Sequence, residues 1–399
     1  MRISTSTIYN ANVSLLNQQQ AQLLHTQQQI STRQRILTPA DDPIASARAL
    51  DISQADASNS QYATNRNTVL NSTSMSEGVL QSVTDLLLYV RTTVVNAGSG
   101  ALNNSDKQTL ATNISGHLED LLALANSTDG IGNYLFSGFQ GKTQPFANTN
   151  TGVQYQTDDG QRMIQVSSSR QLAASDSGAD IFMRIKNGNG TFITQAAPAN
   201  VGSGIASAGA VTNPALLTGN NYQVTFSVAA GVTTYGVTNT TPGALVPVPV
   251  AAGTPYVSGQ VISFDGLQLD VTGAPASGDV FTVAPSTNES IFTTISNLVT
   301  ALKTPGPLGG AIATAINGLD RGRDNVLTVR ASLGTRLNEL EALQSAGESL
   351  GVQYKQTLSQ LQDVDLNKAI SDLTQQKTSL EAAQKSFLAV SGLSLFNYM

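Results

Sequence analysis

A chain of 399 residues is long enough for two or three domains with a substantial core, yet charged residues make up only 12% of it. The net charge of −6 and the absence of any dense Lys/Arg cluster argue against a nucleic-acid or anionic-membrane partner. There is no cysteine, which excludes disulfides and thiolate metal sites outright.

Near the N-terminus Tyr9, Leu16, Leu23, Ile30 and Leu37 recur every seven residues. A narrow heptad stripe suits a helix that buries itself against another helix rather than under a broad core. The other seam position reads Val13, Gln20 and Gln27, so the stripe thins to one apolar residue per heptad. Such a helix is marginal alone. Residues 1–42 are therefore expected to form an assembly helix that orders only on binding. Residues 1–40 hold three arginines and no acid. The segment lacks the basic-then-apolar pattern of a cleaved secretory signal, and no stretch approaches the ~20 apolar residues of a membrane span. If the protein leaves the cell, it would do so by another route.

Proline divides the rest. All 13 prolines lie between Pro39 and Pro307, and residues 44–144 and 308–399 contain none. Two long arms are thus free to be helical. Thr38-Pro39-Ala40-Asp41-Asp42-Pro43 reads as a turn and helix start, with Asp42 as cap and Pro43 in the first helical position. A helical pattern runs from Ile44 to about Asn96, with Leu80, Val83, Leu87 and Val90 on its later apolar face. At this length the helix would span roughly 80 Å. Gly98-Ser99-Gly100 stops it. Ser105-Asp106-Lys107-Gln108 reads as a capping box, and Leu110, Ile114, Leu118, Leu121 and Ala125 follow as a second helix up to Asp129-Gly130.

The middle changes character. No Lys or Arg occurs between Lys186 and Lys303, and Val, Thr, Tyr and Phe alternate with small residues, as in Tyr222-Gln223-Val224-Thr225-Phe226. Turn signals such as Asp158-Asp159-Gly160, Asn187-Gly188, Pro242-Gly243 and Asp265-Gly266 separate short strands. Helix returns after Ser286-Thr287-Asn288-Glu289, a second apparent capping box, with Ile291, Ile295, Leu298 and Leu302 at helical spacing. Pro305-Gly306-Pro307 interrupts it. A second long arm then runs from about Ala311 to Val390. It carries Leu319, Val326, Leu333 and Leu340, and later Leu366, Leu373, Leu380 and Phe387, each set spaced by seven.

The implied fold is α+β: an elongated helical bundle or coiled-coil rod formed by both chain ends, with an inserted antiparallel β-rich domain of one or two subdomains. Residues 43–140 with 287–352 would form the discontinuous helical body. Residues 141–286 would form the β-rich insertion, and residues 353–399 the C-terminal assembly helix. The expected interface is Tyr9, Leu16, Leu23, Ile30, Leu37, Leu366, Leu373, Leu380 and Phe387.

Nothing in the chain supports an enzyme, a cofactor or a metal. His25 and His117 fall on helices without a cluster at ligand spacing. Asp41-Asp42 at a helix start fits capping better than acid–base chemistry. Asn126-Ser127-Thr128-Asp129-Gly130 has an incomplete calcium-ligand series. Asp363 and Asp365 read as helical residues that do not project on one side.

The runs Met1-Arg2-Ile3-Ser4-Thr5 and Ile30-Ser31-Thr32-Arg33-Gln34-Arg35-Ile36-Leu37-Thr38-Pro39-Ala40-Asp41-Asp42-Pro43-Ile44-Ala45 resemble the flagellin superfamily. So do Leu380-Glu381-Ala382-Ala383-Gln384-Lys385-Ser386-Phe387 and Leu393-Ser394-Leu395-Phe396-Asn397-Tyr398-Met399. Asp41-Asp42-Pro43, where filament flagellins usually carry Asp-Asp-Ala, resembles the hook–filament junction branch. So does Asn126-Ser127-Thr128-Asp129-Gly130-Ile131-Gly132-Asn133-Tyr134-Leu135-Phe136-Ser137-Gly138-Phe139. The resemblance covers roughly residues 1–146 and 310–399. It implies a structural flagellar role and export unfolded through the flagellar type III pathway. A cytosolic export chaperone would cover Leu373, Leu380 and Phe387. It also implies a monomer in solution that forms a ring on hook-associated protein 1 and receives flagellin distally, outside the cell. The alternatives are a filament flagellin and, in a different class, a secreted adhesin.

Overall fold

The computed structural model describes residues 5–98, 103–243, 250–304 and 308–392. The Met1–Ser4 motif, Ser99-Gly100, Pro305-Gly306-Pro307 and the Leu393–Met399 ending lie outside them. Among the described residues the helices are α1 (Thr5–Thr32), α2 (Pro43–Gly98), α3 (Asn104–Ala125), α4 (Ile291–Lys303), α5 (Gly309–Gln362) and α6 (Leu366–Gly392). Short strands occupy the interval between α3 and α4. Long N- and C-terminal helices thus flank a central antiparallel β-rich region, an α+β fold. The chain divides into a terminal unit, made of the segments up to Thr64 and from Ala342 on, and a central unit of residues 65–341. Both divisions fall inside uninterrupted helices, where the sequence carries no boundary signal, and not at the expected 42/43 and 352/353.

In the central unit, heptad spacing translates directly into burial. Along α2, Val69, Thr73, Ser76, Leu80, Val83, Leu87, Val90, Val94 and Ala97 are buried at alternating steps of four and three. Along α5, Leu319, Val326, Leu333 and Leu340 are each no more than 1% exposed. Ion pairs join the two helices beside this seam: Arg91 Nε to Asp320 Oδ1 at 2.7 Å and Arg330 Nη2 to Glu77 Oε1 at 2.7 Å. Helices α3 and α4 widen the core, contributing Ile114, Leu121, Ile295 and Leu298. An aromatic knot completes it. Phe182 meets Phe136, Phe146 and Phe292 at centroid distances of 5.6, 5.4 and 5.9 Å.

Two helix starts differ from the sequence reading. The cap of α3 is Asn103, not Ser105: its Oδ1 accepts from Asp106 N at 2.9 Å while Asp106 Oδ2 accepts from Asn103 N at 3.4 Å. The cap of α4 is Ser290, whose Oγ accepts from Phe292 N at 3.1 Å. Ser286 Oγ instead donates to Asn187 O at 2.7 Å, tying together two loops that are distant in sequence. In both cases several residues able to cap precede the apolar run, Asn103 to Asp106 in one and Ser286 to Ser290 in the other, and local pattern does not rank them.

The β-rich part builds a second core. Five antiparallel strands lie in the order Val250–Pro255, Val232–Asn239, Tyr222–Ala229, Val280–Pro285, Phe192–Ala196. A second sheet pairs Val261–Phe264 with Leu267–Thr272, which also takes Ile205–Ala206 and Ala210–Val211 as partners. Strand alternation sends Tyr222, Val224 and Phe226 from one sheet, and Ile262, Phe264, Leu269 and Val271 from the other, into the same cluster. The Asp265-Gly266 turn has both φ angles positive, at 43° and 77°. A side chain on Gly266 would place its Cβ 2.3 Å from Asn213 O, so glycine is required there. Two smaller hairpins, Phe146–Thr149 with Gly152–Tyr155 and Met163–Ser167 with Arg170–Ala173, precede these sheets. The loop after the second is fixed to α5 by Arg336, which bonds Asp176 through both terminal guanidinium nitrogens at 3.0 Å.

Candidate assembly interface

The terminal unit pairs the first helix with the last. Helix α1 runs antiparallel to α6, with Tyr9 against Phe387 at a centroid distance of 5.3 Å near one end. At the other end a bridge joins Gln34 and Asp363. Leu16, Leu23 and Ile30 on α1, and Leu373, Leu380 and Phe387 on α6, are half-buried along this contact. Tyr9 stays largely exposed apart from its ring contact. Leu366, the first residue of α6, is exposed.

Three points differ from the sequence reading. Helix α1 ends at Thr32 because Arg33 adopts a left-handed φ of 58°, so Leu37 lies in the following linker and not in the seam. The second seam series is not Val13, Gln20 and Gln27. It is Asn12, Gln19 and Thr26, the last buried; Val13 is half-buried beside Asn12, while Gln20 and Gln27 face solvent. Finally, the second arm is not continuous. Asp363-Val364-Asp365 separates α5 from α6, and Asp365 Oδ1 caps α6 by accepting from Asn367 N and Lys368 N. Two aspartates within a long helical pattern do not by themselves signal a break, and its cause lies more than 300 residues away.

That cause is the linker 33–42. Val364 N donates to Arg33 O at 3.1 Å and Arg35 N donates to Gln362 O at 2.6 Å. The Arg35 guanidinium reaches both Leu361 O at 2.7 Å and Asp42 Oδ2 at 3.3 Å. Asp41 Oδ2 accepts from Thr38 N at 2.8 Å and Leu37 N at 2.9 Å, and its Oδ1 lies 3.1 Å from His25 Nε2. Asp42 Oδ1 accepts from Ala45 N at 3.0 Å, with Pro43 as the first residue of α2. The Thr38 amide, with help from Leu37 and His25, holds the Asp41 carboxyl below the ordinary aspartate value. The Ala45 amide, with Arg35, does the same for Asp42. Both carboxylates are thus engaged in turn building.

The remaining candidates for chemistry are also accounted for. His117 packs its ring on Tyr89 at 4.8 Å and places Nδ1 3.3 Å from Asp120. Asp129 accepts from the amides of Ile131 and Asn133 and from the Asn133 side chain, within its own loop. Among the described residues no three His, Cys, Asp or Glu side chains group as metal ligands. No described helix is long and apolar enough to cross a membrane.

Several residues that sequence reasoning passed over flank the α1–α6 seam. Leu15 and Leu24 on α1, and Ile370 and Leu388 on α6, are exposed aliphatic side chains. They sit off the seven-residue series, so a search for one apolar stripe does not find them. Ile44 and Leu50 on α2 and Val352 on α5 add to the exposed apolar surface of the same unit. A two-helix seam with aliphatic residues outside it can bury more only by adding further helices.

Comparison with known proteins places this architecture. Residues 3–141 match the model of the bacterial flagellin N-terminal helical region. Residues 197–285 match that of the D2-like domain of flagellar hook-associated protein 1. The chain is 30% identical over 404 residues to the flagellar hook-associated protein 3 of Salmonella typhimurium, covering 99% of each, and equally so to that of Escherichia coli. Among solved structures, the flagellar hook-associated protein 3 of Legionella pneumophila superposes with a TM-score of 0.72 at 31% identity, over 78% of this chain and 98% of that one. FlgL of Xanthomonas campestris gives 0.67 at 30% identity, over 77% and 99%. A structure from Legionella pneumophila described as the flagellar junction protein FlgL gives 0.70 at 31% identity, over 79% and 100%. With full-length identity to curated members and the same helical ends around a β-rich middle, this chain belongs to the flagellar hook-associated protein 3 family.

Proposed function

We propose that the chain is a structural component of the bacterial flagellum, joining hook to filament and carrying out no reaction. The carrying observation is the terminal unit itself. It pairs the two ends of the chain in a seam that stays half-buried and leaves Leu15, Leu24 and Ile370 exposed. In the assembled state, neighbouring copies in a ring-like homo-oligomer cover these faces and hold closed the α1–α6 pair, which opens and closes in the monomer. The ring sits on hook-associated protein 1 and its distal face receives flagellin. Before export through the flagellar type III pathway the chain is a monomer, and a cytosolic chaperone covers Leu373, Leu380 and Phe387 on α6. The nearly charge-free sandwich of residues 192–285 projects outward from the junction.

Deleting the gene tests this reading. The expected result is cells with hooks but no filaments, and flagellin shed into the medium. Full filaments on the deletion strain would overturn it.

A further inference from the structure

Most buried polar groups in the terminal unit have partners. Thr26 donates its hydroxyl to Gln22 O at 3.1 Å within α1. Asn59 on α2 donates to Gly347 O on α5 at 2.8 Å. Among the described residues of this unit, two groups do not. The side-chain carbonyl oxygens of Gln19 and Gln376 are both buried with no hydrogen-bond partner. One belongs to α1 and the other to α6.

Their positions coincide. Gln19 lies ten residues after Tyr9, and Gln376 lies eleven before Phe387, the residue packed on Tyr9. At about 1.5 Å per helical residue the two glutamines are level to within roughly one residue. By the same count Leu16 and Leu380 form the layer on one side of them, and Leu23 and Leu373 the layer on the other. Beyond the first of these, Asn12 lies level with Ala383. Gln19 and Gln376 are thus the one layer of this seam that sets two glutamine amides level with each other, between two leucine layers.

We propose that Gln19 and Gln376 face each other as a polar layer that sets the alignment of α1 on α6 and keeps the pair easy to open. Shifting one helix along the other by half a heptad would place each amide against a leucine. Shifting it by a full heptad would place Gln19 against Ala369 or Ala383, even where Gln376 met Thr26 or Asn12. Only one alignment therefore sets both amides opposite a polar side chain, even though neither carbonyl oxygen is hydrogen-bonded there. The same layer lacks the apolar contact that a leucine pair would supply, so it limits how tightly the helices close. This holds whether or not the protein works at the hook–filament junction, since it concerns pairing within the chain.

Hydrogen exchange on the purified full-length monomer tests it with Gln19→Leu, Gln376→Leu and the double variant. In the double variant, amides of residues 12–30 and 369–387 should exchange about 10-fold or more slowly than in the native protein. Each single variant leaves one amide facing a leucine, so the product of the two single effects should fall well short of the double. A double variant no slower than native, or single effects whose product equals the double, would overturn the pairing. Alignment is read separately by cross-linking. Because the chain has no cysteine, Asn12→Cys with Ala383→Cys reports the native layer without background. The disulfide should form in high yield with both glutamines present and at about half that yield or less with both replaced by leucine. Equal yields would refute the alignment role.

Discussion

The central and terminal units use the same seven-residue period and reach different ends. In the central unit Leu319, Val326, Leu333 and Leu340 are almost wholly buried, because α2, α4 and the Met163–Ala173 hairpin each lie against part of α5. In the terminal unit Leu16, Leu23, Leu373 and Leu380 occupy equivalent positions and remain half-exposed, because among the described residues α1 and α6 face only each other across this seam. Heptad spacing specifies which face of a helix is buried. The number of neighbours specifies how deeply. The central unit carries its own neighbours, and the terminal unit leaves room for others.

The largest effect should come from the central aromatic knot. Phe182→Ala removes a ring that contacts three others and should cost about 3–5 kcal/mol, read as a lower melting temperature of the central unit. A loss under about 1 kcal/mol would show that the knot is not part of the cooperative core. Next is the tie between Arg336 and Asp176, whose side chains are only 13% and 12% exposed. Arg336→Met should cost about 2–3 kcal/mol, and adding Asp176→Leu should recover part of it, because the single change strands a charge. Simple additivity in that cycle would rule the pairing out as the cause.

Leu380→Asp tests the other side of the comparison. The central unit should melt unchanged, while incorporation into the flagellum and motility are lost, since a charge in a helix seam resists burial by a neighbour. Normal motility would show that this position stays uncovered. The smallest effect concerns the linker. Asp41 and Asp42 titrate below the ordinary aspartate value in the folded turn, so the unfolded turn takes up protons first. Their stabilisation is therefore complete above about pH 5 and is lost as pH falls through about 4 toward the lower folded values. Amide exchange of Leu37, Thr38 and Ala45 should be protected at pH 6 and accelerate only in that acid window, beyond the intrinsic pH trend. Opening of the turn between pH 8 and 6 would contradict it.

Much of this contrast was legible in the residues. The series from Leu319 to Leu340, the apolar face of α4 and the alternation at Tyr222–Phe226 each follow from period and propensity. The resemblance carried by residues 30–45 and 126–139 pointed to the correct family. What escaped was set by partners far along the chain. The break at Asp363–Asp365 depends on Arg33 and Arg35, and the depth of Gln19 depends on α6. Leu37 fits a heptad in the sequence, but one left-handed residue at Arg33 removes it from the helix.

The two interruptions, 33–42 and 363–365, lie at the same level and are stitched together by the bonds from Val364 to Arg33 and from Arg35 to Gln362. Both rails of the terminal unit therefore carry a joint at one rung. Sliding one rail past the other would tear that stitching. The joint ties α1 to α6 at that rung and resists shear between them, so a load on either terminus is shared by both.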